Sequence, residues 1–337
     1  MESKELLDKM SGRWPAFYLE NLPNFGAAMM ASPEHTGCPV HGGSNGFRFF
    51  SDWAGTGGGI CNTCGGKSNG IKLTAWAKDL DTKAAEALIT EWLQTSSGEE
   101  VPAPLFEKKE VNYSLRKLRL DTVWRDSLPI TEGTPAWAYL AARGLVPGGL
   151  TRGMIDPAHL RWHPMLPVKG DRMTAYPAIV MKVSLPNGEM GSIHRIYLRA
   201  KGGKAPIAVP KRLMAAAVPD LSGSAIRLAT PGKVLGVAEG LETALAGHLL
   251  SCDGLPVWAC VTGALMAALV VPKWVEVVHV LADLDLNRAG EKAATTLAAR
   301  LKAEGKKVYV HYPTLPIPEG GKGVDWLDVL VDKSTKF

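Results

Sequence analysis

Four residues near the start of the chain have the types and spacing of a metal site: Cys38-Pro-Val-His41 and, nineteen residues on, Cys61-Asn-Thr-Cys64. Zinc takes four sulfur or nitrogen donors at tetrahedral corners, and each two-residue-spaced couple on a tight turn supplies two of them. Gly42-Gly43 and Gly65-Gly66 follow the couples and let the backbone turn back around the ion. His35 is a second histidine nearby but lacks the couple spacing, so Cys38, His41, Cys61 and Cys64 are the expected ligands of one structural zinc. Phe47-Arg48-Phe49-Phe50 and Gly59-Ile60, between the couples, read as hairpin strands, which makes the module a zinc ribbon. Arg48, Lys67 and Lys72 with Phe47, Phe49 and Trp53 suggest a basic, aromatic face that stacks bases. The same aromatics have a second reading as the ribbon's own small core.

Further along, acids gather. Glu239-Gly240, Asp283-Leu-Asp285 and Asp325-Trp-Leu-Asp328 each follow a predicted strand. Convergent carboxylates without Cys or His partners suit Mg²⁺ or Mn²⁺, which keep several waters and take one or two carboxylates plus phosphate oxygens. Such ions activate an attacking oxygen and neutralise a leaving pyrophosphate. Asp325 or Glu242 alone would read as a helix cap or a solvated charge; the joint set points to metal chemistry. Asp283 and Asp285 are two apart in an extended segment and point the same way. Asp325 and Asp328 are three apart at a helix start and share a face.

These acids need a scaffold that brings them together. From Lys233 the pattern alternates: strands at Val234–Ala238, Pro256–Val261, Val275–Ala282 and Lys307–Tyr312, helices near 241–250, 264–270, 288–304 and 325–331. Apolar strands joined by helical crossovers predict a four-stranded parallel sheet with flanking helices. Ligands of open α/β sheets bind at the carboxyl ends of the strands, so the acidic clusters should meet at one edge. Upstream, a helix runs from Lys83 to Leu93 and a polar, Pro-containing linker follows. Helical segments are expected at 112–126 and 134–143, then a hairpin of Tyr176–Leu185 and Glu189–Leu198 around Pro186-Asn187-Gly188. The expected organisation is a zinc-ribbon domain with flanking helices over 1–94, a linker over 95–110, a basic α+β subdomain over 111–232 and an α/β domain over 233–337.

Of 337 residues 46% are apolar, and 38 Lys and Arg face 33 Asp and Glu for a net charge of +5, which excludes a disordered chain and a polycation. Binding to nucleic acid must therefore use local charge. Residues 195–233 supply it: Arg195, Arg199, Lys201, Lys204, Lys211, Arg212, Arg227 and Lys233 against Asp220 alone. Arg195 and Arg199, four apart on a strand, should share a face and line a groove. Lys204, Lys211 and Arg212, in Gly/Pro-punctuated loops, could reach a nucleotide's triphosphate, and Lys322 is a further phosphate contact. The plain alternative is a solvated basic face. Five cysteines and an acidic, signal-free start argue against disulfides and export, and for a soluble cytoplasmic protein. Gly254–Pro272 carries no charge but is broken by Thr262-Gly263, so it reads as strand, turn and helix, not as a membrane span.

Glu239-Gly240, Asp283-Leu-Asp285 and Asp325/Asp328 on a β-α-β-α-β-α-β pattern resemble the Toprim domain of bacterial-type primases, topoisomerases and some nucleases. The run Cys-Pro-x-His-Gly-Gly through Phe-Arg-Phe to Ile-Cys-x-x-Cys-Gly resembles the zinc fingers of phage- and plasmid-encoded primases. Ala138-Tyr139-Leu140-Ala-Ala-Arg143-Gly144-Leu145 resembles a segment at the start of the primase catalytic core, which adds Arg143 to the candidate nucleic-acid and nucleotide contacts. The resemblance spans residues 35 to 330 and implies a DNA primase that makes short oligonucleotides on single-stranded DNA from nucleoside triphosphates, for a plasmid, phage or other mobile element. It implies Mg²⁺ or Mn²⁺ held by Glu239, Asp283 and Asp285, with Asp325 and Asp328 supporting a second ion. Glu239 has an alternative role as general acid or base. His41 stands where many relatives have Cys. No Gly-x-x-x-x-Gly-Lys-Ser/Thr phosphate loop occurs, so unwinding is expected from a separate replicative helicase. The rival readings are a Toprim metal-dependent nuclease and a non-catalytic nucleic-acid-binding accessory protein.

Overall fold

The computed structural model describes residues 2–32, 34–61, 63–95, 111–146, 155–168, 171–286 and 288–334. The expected linker at 95–110 lies almost wholly outside the described residues. The chain divides into two compact units, Met1–Val111 and Asn112–Phe337.

The first unit opens with α1 (Ser3–Met10), α2 (Trp14–Asn21) and α3 (Gly26–Ala31). A four-stranded antiparallel sheet follows: β1 (Thr36–Cys38), β2 (Gly42–Phe49), β3 (Gly59–Cys61) and β4 (Gly65–Lys67), paired in chain order, with the short α4 (Trp53–Thr56) before β3. The unit closes with α5 (Gly70–Lys78) and α6 (Thr82–Thr95). Strands of three residues bury little on their own, so aromatic side chains from helices and sheet fill the interior together. Phe49 stacks on Trp53 at 4.5 Å, and Phe47 meets Phe49 edge-on at 5.1 Å. Phe47 and Phe49 have no exposed surface and Trp53 has 3%. Of the two readings of these aromatics, the core is the one the structure bears out, and they offer no face to a base.

The second unit begins with α7 (Tyr113–Arg125) and α8 (Pro135–Ala141), followed by β5 (Leu160–Val168), β6 (Asp171–Ser184), β7 (Met190–Tyr197), β8 (Lys211–Leu213) and β9 (Ala225–Ile226). The α/β segment continues as β10 (Val234–Ala238), α9 (Leu241–Leu250), β11 (Val257–Ala259), α10 (Gly263–Ala268), β12 (Val277–Leu281), β13 (Leu284–Asp285), α11 (Ala289–Ala303), β14 (Lys307–His311), β15 (Gly323–Val324) and α12 (Trp326–Ser334). The four expected strands are parallel to one another and lie in the order β14-β12-β10-β11. Their side chains alternate between two cores. Leu235, Val237, Val278 and Val280 pack with Ala294, Leu297 and Leu301 of α11, while Ala238 and Leu281 join Ala244 and Leu245 of α9.

The sheet does not stop at β11. Through the antiparallel β9 it continues into β6, β7 and β8, with β5 also on β6, so one nine-stranded mixed sheet crosses the boundary expected at 232/233. The reason is local: Ile226 pairs with both Ala259 and Val183, which gives the parallel edge and the hairpin a shared neighbour. The hairpin turns at Pro186-Asn187-Gly188, as expected. Gly188 takes φ +89°, its N–H donates to the Leu185 carbonyl, and Asn187 uses its side-chain oxygen to accept from the Glu189 N–H. Gly254–Pro272 resolves into β11 and α10. Among the described residues no helix is long and apolar enough to cross a membrane.

Gly70 starts α5 against the fully buried Trp14, and a Cβ there would overlap the indole ring. Gly70→Ala is expected to destabilise the first unit by about 1–3 kcal/mol, the usual cost of overpacking. Gly26→Ala, on a helix with open space at its Cβ, should be neutral or slightly stabilising. Urea unfolding followed by tryptophan fluorescence checks both, and an unchanged midpoint for Gly70→Ala would count against the tight contact.

Candidate functional site

The zinc donors come from the ends of short strands. Cys38 closes β1, Cys61 closes β3, and His41 and Cys64 follow on turns. Gly42, Gly43 and Gly65 sit at φ +81°, +87° and +80°, where a side chain would be strained, so the glycines after each couple have a backbone reason. The four ligand atoms lie within 4.8 Å of one another. His41 Nδ1 stands 3.2 Å from the Cys64 sulfur and 3.8 Å from that of Cys61. A tetrahedron with zinc–sulfur bonds of about 2.3 Å has edges of about 3.8 Å, so the donor set fits one zinc ion. Around it, the Lys67 ammonium donates to the Cys64 carbonyl at 3.1 Å and lies over the Trp76 ring.

In the second unit, the strand ends build the acidic site. Glu239 follows β10, and the segment after β11 clamps it: the Val261 N–H donates to the Glu239 carbonyl at 2.7 Å. Val261 takes φ +70°, a strained conformation for a β-branched residue, at the rim of the site. Asp283 follows β12 and accepts a hydrogen bond of 3.2 Å from the Thr243 hydroxyl. Asp285 lies on β13, opposite Gly323 of β15, where a Cβ would crowd the Asp285 carboxylate. Asp325 precedes α12.

Burial raises Glu239, with the charge of Asp285 adding to it. Asp283 is pushed up to about 7, first by burial and then by the charges of Asp325 and Glu239. Burial raises Asp325 as well. Unlike these acids, Glu242 goes down to about 2: burial alone would raise it, but the Lys211 ammonium and the Tyr139 hydroxyl favour its charged form. His194, beside Lys211, is pushed down to about 4, chiefly by burial.

A cavity of about 490 Å³ joins these groups. Glu239, Asp283 and Asp325 line it together with Arg143, Lys204 and Lys211, so carboxylates and cations share one hollow. Carboxylates in such a hollow suit a divalent cation that keeps part of its water shell.

Other candidate residues lie elsewhere. Asp328 is exposed, and its carboxylate accepts the Asp325 N–H at 2.9 Å while Asp325 accepts from the Leu327 and Asp328 N–H groups. Asp325 and Asp328 thus cap the start of α12 reciprocally. Arg195 is 7% exposed and donates to the Tyr197 hydroxyl at 2.9 Å. Arg199 lies past the end of β7, where the chain turns, so the groove expected along Arg195 and Arg199 does not form. Arg212 donates to the Val209 carbonyl, Lys322 is exposed, and neither lines the cavity. Sequence reasoning set aside Glu242 as a cap or surface charge and missed His194, Thr243 and Tyr139. Glu242 had one signal, a carboxylate in the first turn of a mostly apolar helix.

Because the folded protein holds the Asp283 proton more tightly than the unfolded chain, the associated stability is complete below about pH 4 and is lost as pH rises through about 7. Asp283→Asn is therefore expected to melt above the parent protein at pH 8 in magnesium-free buffer and to match it near pH 4. Identical melting temperatures at both pH values would mean that Asp283 holds no such proton. Cys61→Ser should lower the zinc content, measured by atomic emission, and full retention would remove Cys61 from the ligand set.

Three family models match the chain: the zinc-binding domain of primase-helicase over residues 34–71, a domain of unknown function (DUF7146) over 115–228, and the Toprim domain over 234–336. No curated protein matches it in sequence. Among solved structures, the primase fragment of the bacteriophage T7 primase-helicase is 17% identical, covering 90% of this chain and 96% of that one at a TM-score of 0.38. A DNA primase domain from Pseudomonas aeruginosa is 15% identical, covering 66% and 74% at 0.40. The RNA polymerase domain of Mycobacterium tuberculosis primase DnaG is 14% identical, covering 66% and 81% at 0.37. The chain thus carries a match to the zinc-binding domain of primase-helicase at one end and to the Toprim domain at the other.

Proposed function

We propose that this protein is a cytoplasmic DNA primase that makes short oligonucleotides on single-stranded DNA for a plasmid, phage or other mobile element. The observation that carries the reading is the cavity in which Glu239, Asp283 and Asp325 share one hollow with Arg143, Lys204 and Lys211. Nucleotidyl transfer needs both walls. The incoming triphosphate is a polyanion that the cations hold, and the carboxylates suit the divalent ion that travels with it.

Mg²⁺ or Mn²⁺ would be held by Glu239, Asp283 and Asp285 with support from Asp325, and when bound it supplies charge neutralisation at the α-phosphate and activation of the attacking hydroxyl. The residues of this chain set the stage for that ion. Thr243 orients the Asp283 carboxylate, the Val261 N–H fixes the backbone of Glu239, and Arg143, with its guanidinium 3.8 Å over the Tyr139 ring, is held in place at the basic wall. Lys204 lines the cavity close enough to Lys211 for its ammonium to be lowered by partial desolvation and then by that neighbour's charge, which makes an anion between them favourable. Arg199, Arg212 and Lys322, outside the cavity, would contact the template or its phosphates. The ribbon engages template single strand for initiation, and duplex unwinding falls to a separate helicase.

Purified protein with Mg²⁺ or Mn²⁺, a single-stranded template and the nucleoside triphosphates should yield short oligonucleotides. Asp283→Ala and Asp285→Ala should each abolish synthesis while template binding stays largely intact. Degradation of the template without nucleotide incorporation would replace this reading with a nuclease.

A further inference from the structure

We propose that Glu242, three residues after Glu239, is a positioning residue that fixes Lys211 as a phosphate-facing cation, and that it takes no part in holding the divalent ion. This inference rests on the primase reading and assigns a role to a residue that the reading leaves unused. Both oxygens of the side chain are engaged. Its Oε1 accepts from the Tyr139 hydroxyl at 2.7 Å and lies 2.9 Å from the Lys211 ammonium, and its Oε2 accepts from the same ammonium at 3.0 Å. The Glu242 side chain is 8% exposed, so its charge must stay paired within the protein, whereas that of Lys211 is 41% exposed and lines the cavity. An ammonium carries three donors; with one hydrogen-bonded to Oε2 of the carboxylate, donors remain for the oxygens of a bound triphosphate. A lysine on a flexible four-carbon stem otherwise loses much rotamer freedom on binding an anion, and a buried carboxylate at its base has already taken that loss.

The acids of the site thus divide by partner. Glu239, Asp283 and Asp325 have no lysine or arginine bonded to them among the described contacts and are raised by burial and by neighbouring carboxylates. Glu242 has its cation already and is lowered. Tyr139 ties this arrangement to α8, the helix that also positions Arg143, so two cations of the basic wall are set by one hydroxyl and one ring.

The test compares the full-length parent, Glu242→Gln, Lys211→Ala, the double variant and Tyr139→Phe. Two measurements are made: filter binding of each γ-labelled ribonucleoside triphosphate with Mg²⁺, and primer synthesis as a function of nucleotide and Mg²⁺. Glu242→Gln should weaken nucleotide binding and raise KM about tenfold, the loss of roughly one charge-assisted hydrogen bond, with kcat within about twofold and the Mg²⁺ requirement unchanged. The double variant should be no weaker than Lys211→Ala alone, because both changes remove the same contact. Tyr139→Phe, which removes one hydroxyl and preserves the ring, should shift KM in the same direction by less. A collapse of kcat with a raised Mg²⁺ requirement in Glu242→Gln would make Glu242 a metal ligand and overturn the proposal, as would additive losses in the double variant. Absence of nucleotide binding and synthesis by the parent protein would instead overturn the primase reading.

Discussion

Carboxyl groups brought together in a partly buried hollow repel one another, and that repulsion is the constraint on which the rest of the second unit depends. Glu239, Asp283 and Asp325 are all raised, Asp283 to about 7, because each is drawn out of water among like charges. A fold that pays this cost gains nothing in stability from it. The parallel strands β10 and β12 enforce it by ending at one edge, and the antiparallel pair β13/β15 extends the acidic rim to Asp285. Such an arrangement is matched to a divalent cation, whose charge turns the mutual repulsion into shared attraction.

The basic wall obeys the opposite rule. Lys211 is partnered before any ligand arrives, and Arg143 lies over an aromatic ring, so the cations of the cavity are held in place by the protein. Glu242 belongs to this wall although it lies in the helix that follows Glu239. The distinction between the two kinds of acid is one of partner: an ammonium within 3 Å lowers Glu242 and its absence leaves Asp283 high.

In the first unit zinc and aromatic packing divide the work. Strands of three residues cannot supply a core, and the interior is made of Trp14, Phe17, Tyr18, Phe25, Phe47 and Phe49 packed between helices and sheet. The metal donors cluster at the strand ends, where Cys38 and Cys61 are buried at the margin of that core and a shared ion would cross-link the turns. The basic residues near the ribbon are left at its surface: Lys72 is exposed and Lys67 is tied to the Cys64 carbonyl.

Much of this was legible in the residues alone. Two metal couples followed by glycines, and acids at the ends of apolar runs, identify themselves by spacing, because a tight turn or a strand end places neighbouring ligands without help from the rest of the chain. The four parallel strands were legible for the same reason: their apolar alternation is local. Only the tertiary structure could decide the partners of charges far apart in sequence. It set Glu242 against Lys211 and Tyr139, turned Asp325 and Asp328 into a cap, buried Arg195 against Tyr197, and made core of Phe47 and Phe49. Spacing states which side chains can share a face, but burial and the nearest opposite charge decide what each one does there.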